Sequence, residues 1–187
     1  MTCLILPEFL GIAECVRVRT AMDRGCLSCA EIYADGYRVD EGIRRTFDVD
    51  VDDEIVAVAQ RAIDAVRPRV AGFFDVPLVG EEGPGFLRYA PGGFYRTHRD
   101  VAPGLDAAFP RRISVVLFLT TAGSDAVPGR CEGGSLRVYD EVEDRGESCP
   151  LDIAPAAGTL VAFPSTLLHE VLPVTAGVRD VIVDWFY

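Results

Sequence analysis

The chain has 187 residues, 49% hydrophobic and 25% charged, enough for one folded domain with a sizeable core. No apolar run approaches the roughly 18 to 20 residues that span a bilayer, so no membrane partner is expected. The formal net charge of −11, opposed by no basic run, repels nucleic acid, so no nucleic-acid partner is expected.

The opening residues, Met1 to Pro7, carry no basic stretch and only a short apolar one. A cytoplasmic protein with reduced thiols is therefore expected. Of the six cysteines (Cys3, Cys15, Cys26, Cys29, Cys131 and Cys149), only Cys26 and Cys29 form a CxxC pair. A zinc site needs a second pair at matching spacing, so incidental thiols are the expectation.

Apolar residues at Leu10, Ile12, Ala13, Val16, Val18 and Ala21 predict a first helix over Leu10–Met22, ending near Gly25. Ile55, Val56, Ala59, Ala62, Ile63 and Val66 predict a second over Asp52–Val66. Its first turn holds Asp52, Asp53 and Glu54, which the helix dipole favours, and Pro68 is expected to stop it. After Pro84 short β-rich runs alternate with Gly/Pro punctuation: Gly85–Tyr89, Phe94–His98, Arg112–Thr120, Ser135–Tyr139, Pro150–Ile153, Thr159–Phe163, His169–Val174 and Asp180–Phe186. The expected class is α+β, mainly β. Residues 85–187 would form a jelly-roll core, a cupin-like double-stranded β-helix. Residues 1–84 would be mainly helical support packed on one sheet, all within a single domain spanning 1–187.

The chain has two histidines. His98 and Asp100 are two apart, so on a strand their side chains share a face and Arg99 points away. His169 opens another predicted strand. Two imidazoles and one carboxylate are the facial set of non-haem iron(II) oxygenases, although zinc accepts the same donors. Arg179 lies ten residues after His169, across a turn at Gly177. A hairpin there would set its guanidinium beside the metal to clamp a carboxylate; the ordinary alternative is an ion pair with Asp180 or Asp184.

The segment from His169 through Pro173-Val174, Gly177, Arg179 and Trp185 resembles the distal motif of prolyl-4-hydroxylase-like 2-oxoglutarate/Fe(II) dioxygenases. Leu87-Arg88-Tyr89 through Tyr95, His98 and Asp100 resembles the proximal motif. Gly133-Gly134-Ser135-Leu136 and Gly158-Thr159 through Phe163-Pro164 are similar to the intervening strand signatures, so the likeness covers roughly Gly85 to Tyr187. It implies Fe(II) on His98, Asp100 and His169, with 2-oxoglutarate and O2 as co-substrates and ascorbate as a reductant. It also implies that Arg179 holds the distal carboxylate of 2-oxoglutarate. Tyr89 is a candidate for reaching the co-substrate, with a half-buried core tyrosine as the alternative. Some relatives add a tyrosine where this chain has Phe118; Ser114, Thr120 or Thr159 are the candidates to compensate. Related halogenases lack the carboxylate that is present here as Asp100, so hydroxylation of an unactivated C–H bond is implied.

For the substrate, the likeness implies a prolyl residue in a peptide or protein, and the short chain leaves a free amino acid or small metabolite open. Loops Asp40–Phe47, Val101–Phe109 and Gly123–Glu132 are expected at the pocket mouth, with Arg44, Arg45, Tyr95, Arg99 and Trp185 as candidate substrate residues. Three other readings remain: a 2-oxoglutarate-independent cupin-like metal oxygenase, a non-catalytic metal-binding module of the same fold, and a zinc protein using the cysteines.

Overall fold

The computed structural model describes residues 3–33, 36–101, 110–124, 127–141 and 148–187. In chain order the elements are β1 (Leu4–Leu6), α1 (Ile12–Met22), β2 (Cys26–Cys29), β3 (Ile32–Tyr33), β4 (Tyr37–Arg38), β5 (Arg44–Arg45), β6 (Phe47–Asp50) and α2 (Asp53–Phe74). They continue with β7 (Gly85–Tyr89), β8 (Phe94–His98), β9 (Ile113–Phe118), β10 (Thr121–Ala122), β11 (Arg130–Gly133) and β12 (Leu136–Glu141). The last are β13 (Ser148–Ile153), β14 (Leu160–Pro164), β15 (His169–Val171), β16 (Val174–Gly177) and β17 (Arg179–Phe186).

A seven-stranded sheet has the order β1-β14-β9-β17-β7-β6-β2, and a five-stranded sheet the order β13-β12-β15-β8-β5. Side-chain parity sorts each strand of the larger sheet into two faces. On β9 and β17, Ile113, Val115, Leu117, Ile182 and Phe186 pack with Val18 and Met22 of α1 and Ile63 and Val70 of α2. The opposite face supplies Leu87, Tyr89, Val116, Phe118, Phe163 and Val181, which meet Leu136, Val138 and Val171 of the smaller sheet. The molecule is thus helices on a sheet on a sheet, the double-stranded β-helix with two supporting helices. Among the described residues no helix is long and apolar enough to cross a membrane.

Three sequence expectations need correcting. The part before residue 84 is more than helical support, because β1, β2 and β6 extend the larger sheet and β5 the smaller. Pro68 does not stop α2, which runs on to Phe74. An interior proline costs about 3 kcal/mol, but the turns beyond it bury Val70 fully and pack Phe73, Phe74 and Val76 against the core. Burial of such side chains contributes about 1.5–3 kcal/mol each, which outweighs the proline. Finally, His169–Val174 is two strands in two sheets, broken at Pro173, whose nitrogen cannot donate to a ladder.

Asp184 on β17 faces away from the inner cluster with its side chain fully buried. Its Oδ1 accepts from the Gly83 and Trp185 backbone N–H groups, while Oδ2 has no partner. Burial pushes this carboxyl up from its ordinary 3.8 to about 6. A pKa raised on folding favours the folded state below the unfolded value, and that advantage disappears as pH rises through the folded one. Asp184→Asn is therefore expected to gain on the order of 2 kcal/mol over wild type at pH 8 and almost nothing at pH 4. Urea unfolding of both proteins across that range checks it; parallel curves would contradict it.

Candidate active site

His98 ends β8 and His169 begins β15, directly opposite in the ladder, with ring centroids 4.1 Å apart. Between this pair and the next, Val171 with Tyr95, the register shifts. The extra residue in β8 turns Tyr95 to the same side as His98, and their rings stack at 3.5 Å. Asp100 lies just past the end of β8, not on it. It is fixed there by its own N–H, which donates to the Ser165 carbonyl at 3.1 Å. One donor atom from each of His98, Asp100 and His169 lies within 4.8 Å of the others. Among the described residues this is the one group of three or more His, Cys, Asp or Glu side chains so placed. The described cysteines are free thiols, with Cys26 and Cys29 exposed, and none joins such a group.

The donor set suits a divalent metal. Nδ1 of His98 and of His169 lies 2.8 Å from the Arg96 carbonyl and 3.0 Å from the Leu167 carbonyl respectively. That fixes both tautomers and turns each Nε2 inward. Oδ2 of Asp100 accepts from Ser114 Oγ at 2.6 Å and from the Trp185 indole at 2.9 Å. Ser114 is in turn 2.9 Å from Ser165 Oγ. Both hydrogen bonds fall on one oxygen, which leaves Oδ1 for an ion. Burial opposes ionisation of Asp100, but the imidazoles, His169 foremost, hold its carboxyl well below the usual carboxylate range. Burial pushes His98 down; in His169 the same burial is outweighed by facing Asp100, and its value rises.

Trp185, a candidate substrate residue in the sequence, thus also holds Asp100. Trp185→Phe keeps the ring and removes the donor, so divalent-metal affinity should fall about 10- to 100-fold with the fold intact. Calorimetric titration with Mn(II) checks this; unchanged affinity would exclude the positioning role.

These residues line a cavity of about 270 Å³ between the two sheets, and Arg179 and Tyr89 line the same cavity. Arg179 does not arrive by a hairpin with β15. It lies on β17 of the larger sheet, across the barrel from both histidines. Its guanidinium is buried beside the Tyr89 ring at 4.8 Å and the Phe118 ring at 5.3 Å. Its Nε and Nη1 have no hydrogen-bond partner. The ion-pair alternative is not what the fold provides, since Asp180 is bound through both oxygens by Arg88 and Asp184 points to the other face. Burial pushes Arg179 down from its ordinary value. A buried cation with orphaned donors opening on a cavity fits an anionic ligand. Gly134 makes room for it: a Cβ there would lie 2.8 Å from Arg179 Cδ, and its φ of +68° already disfavours other residues.

The remaining candidates divide. Arg44, Tyr95 and Arg99 line the cavity, with Arg44 Cζ 4.9 Å over the Tyr95 ring. Arg99 does not simply point away, since it donates to the Thr166 carbonyl at the rim. Arg45 lies over Phe94 outside this cavity. Thr159 and Thr120 are buried but do not line it, and Ser114 is committed to Asp100. Of the three expected mouth loops, Asp40–Phe47 contributes Arg44 and Gly123–Glu132 contributes no described residue. Val101–Phe109 lies, after Val101, outside the described residues.

Sequence reasoning missed Arg111, Tyr33 and Tyr37. Arg111 stacks 3.8 Å over Trp185 while bound to both oxygens of Glu82. Tyr33 and Tyr37 come from the β3–β4 hairpin and line the mouth. Nothing in their spacing marked them, although the parity of β9, which faces Ser114 inward, could have found that residue's role.

A sequence model of the 2OG-Fe(II) oxygenase superfamily matches residues 84–187. The chain is 37% identical over 106 residues to a PKHD-type hydroxylase of Parvibaculum lavamentivorans, covering 54% of this chain and 42% of that protein. A PKHD-type hydroxylase of Acidovorax ebreus is likewise 37% identical over 106 residues. The chain therefore spans about two-fifths of the length of the curated relatives it matches. A Pseudomonas putida prolyl-4-hydroxylase structure superposes with a TM-score of 0.74 at 27% identity, covering 99% of this chain and 91% of that one. A Trichoplax adhaerens prolyl hydroxylase, in complex with a peptide fragment of hypoxia inducible factor, shares the fold with a TM-score of 0.77 at 22% identity. That match covers 100% of this chain and 83% of that one. With residues 84–187 matched, and with that segment carrying the His98, Asp100, His169 and Arg179 side chains around one cavity, the chain belongs to the 2OG-Fe(II) oxygenase superfamily.

Proposed function

We propose that this chain is an Fe(II)- and 2-oxoglutarate-dependent hydroxylase of an unactivated C–H bond, in a prolyl residue of a peptide or protein or in a free amino acid or small metabolite. The observation that carries this reading is the buried Arg179 guanidinium, with its Nε and Nη1 unpaired, lining the same cavity as the His98, Asp100 and His169 donors. His98 Nε2, His169 Nε2 and Asp100 Oδ1 would hold the iron, and Arg179 the distal carboxylate of 2-oxoglutarate, with Tyr89 beside it. Bound iron supplies activation of O2, with oxidative decarboxylation of the 2-oxo acid to succinate and oxidation of the substrate C–H bond. Ascorbate would keep the metal reduced.

The protein's own part is placement and exclusion. Arg179 would set the depth and orientation of the diacid by pairing with one of its carboxylates. The apolar walls, Leu136, Phe163, Val171 and Val181 among them, keep water from the reacting centre. Ser114 and Trp185 keep Asp100 turned so that one oxygen faces the metal. Retention of that carboxylate favours hydroxylation over halide transfer. The names of the relatives, PKHD-type hydroxylase and prolyl-4-hydroxylase, support prolyl oxidation. Residues 1–187 would act as one unit, with 85–187 carrying the metal and co-substrate residues and 1–84 extending both sheets and lining part of the cavity.

A succinate-release screen with iron(II), ascorbate, and a panel of amino acids and proline-containing peptides tests the reading. Succinate formation requiring both iron and 2-oxoglutarate, and stimulated by at least one panel member, is expected. Oxygen uptake without succinate would replace it with a 2-oxoglutarate-independent oxygenase. Tight binding of iron and 2-oxoglutarate with no succinate from any candidate would replace it with a binding module.

A further inference from the structure

A second cavity, of about 170 Å³, opens beside the first, with walls from Cys29, Val39, Phe47, Ala90 and Pro91. Arg44 lines both cavities. Its Nη1 donates to the Glu31 carbonyl at 2.7 Å, and its ring-stacked position on Tyr95 continues the stack onto His98. Its Nε is buried and has no hydrogen-bond partner. Leaving such a donor unpaired costs about 1–3 kcal/mol, so an acceptor supplied from outside the chain is favoured there. Thr46, the one hydroxyl in the second cavity, already donates to the Arg88 carbonyl, and Glu41 pairs with Arg45. Apart from Thr46, the exposed Arg45–Glu41 pair and the Cys29 thiol, the described lining there is apolar wall and Arg44.

The sizes of the two spaces restrict what can bridge them. A five-carbon diacid fills much of the 270 Å³ cavity and leaves room for about one side chain beside the metal donors. Among the described residues Arg44 is the one that lines both cavities, so a larger substrate that reaches from the first into the second passes it. An acceptor at Arg44, one group away from the oxidised side chain and followed by an apolar group, describes a peptide carbonyl and its neighbouring residue.

Resting on the hydroxylase reading above, we propose that the second cavity is a subsite for an apolar residue adjacent to the oxidised one in a peptide substrate, with Arg44 Nε binding the carbonyl between them. The site would then reject a free amino acid, which offers nothing to the second cavity, and disfavour a peptide with glycine at both flanks.

Equilibrium binding to the protein loaded with Mn(II) and 2-oxoglutarate tests this without turnover. The probes are blocked pentapeptides Gly-X-Pro-X-Gly with X as leucine or glycine, and free proline. Wild type should bind the leucine peptide at least about 10-fold tighter than the glycine peptide, the worth of roughly one buried side chain. Val39→Trp, at a half-exposed position where it fills the second cavity, should bring the two peptides to within about 2-fold. Arg44→Lys should weaken both. In neither variant should 2-oxoglutarate affinity change. Equal binding of the two peptides by wild type, preference for free proline, no peptide binding at all, or undiminished discrimination in Val39→Trp would each overturn the subsite. If 2-oxoglutarate itself fails to bind, it is the hydroxylase reading that falls.

Discussion

Arg179→Met should lose 2-oxoglutarate and gain stability at once. The guanidinium is buried with two donors unpaired in the free protein. Replacing an incompletely paired buried charge with an apolar side chain of similar length should stabilise the free protein by about 1–3 kcal/mol. For a chain of this size that raises the melting temperature by several degrees. The same change removes one partner of the charge pair proposed for the co-substrate. Truncating such a partner costs about 2–5 kcal/mol, a roughly 30-fold to several-thousand-fold weakening. Melting curves of wild type and variant, with and without 2-oxoglutarate and Mn(II), separate the two effects. A variant that is less stable when free, or that binds the diacid as wild type does, would contradict the assignment.

His98→Ala and His169→Ala carry the other large expectation. Each deletes one of three donors, and no further His, Cys, Asp or Glu side chain among the described residues is placed to replace it. A metal at a thousand times its dissociation constant stabilises a folded protein by about 4 kcal/mol. Wild type should show that stabilisation with saturating Mn(II), whereas both alanine variants should show none and should release no succinate. Retained metal stabilisation in either would mean that the ion sits elsewhere.

The contrast between what the sequence disclosed and what it hid has physical causes. Gly85–Tyr89 and Phe94–His98 were readable to the residue because each is a short β-rich run bounded by Gly/Pro breaks. The strands before residue 52 have two to four residues, too few to alternate, and their sheet membership is decided by distant partners such as β14 and β8. Pro68 misled because local propensity says nothing about the core waiting beyond it. At the site, His98, Asp100 and His169 were legible from chemistry and motif. The geometry that joins them was not, since it depends on a register shift in β8 and on Asp100 sitting past the strand end. Arg179 could be located in the sequence, but the barrel closure that carries it across the cavity is a tertiary property. Ser114, Ser165 and Arg111 are ordinary residues locally and acquire their roles only from what β9 and the loops face.

The claim that the three donors and Arg179 serve one bipartite site is tested most directly by anaerobic calorimetric titration of 2-oxoglutarate into wild type and Arg179→Met, each with and without iron(II). One equivalent should bind tightly to iron-loaded wild type, far more weakly without iron, and weakly to the variant in both states. Binding to wild type that is indifferent to the metal, or that survives the loss of the guanidinium, would show that carboxylate and ion are not held together in this cleft.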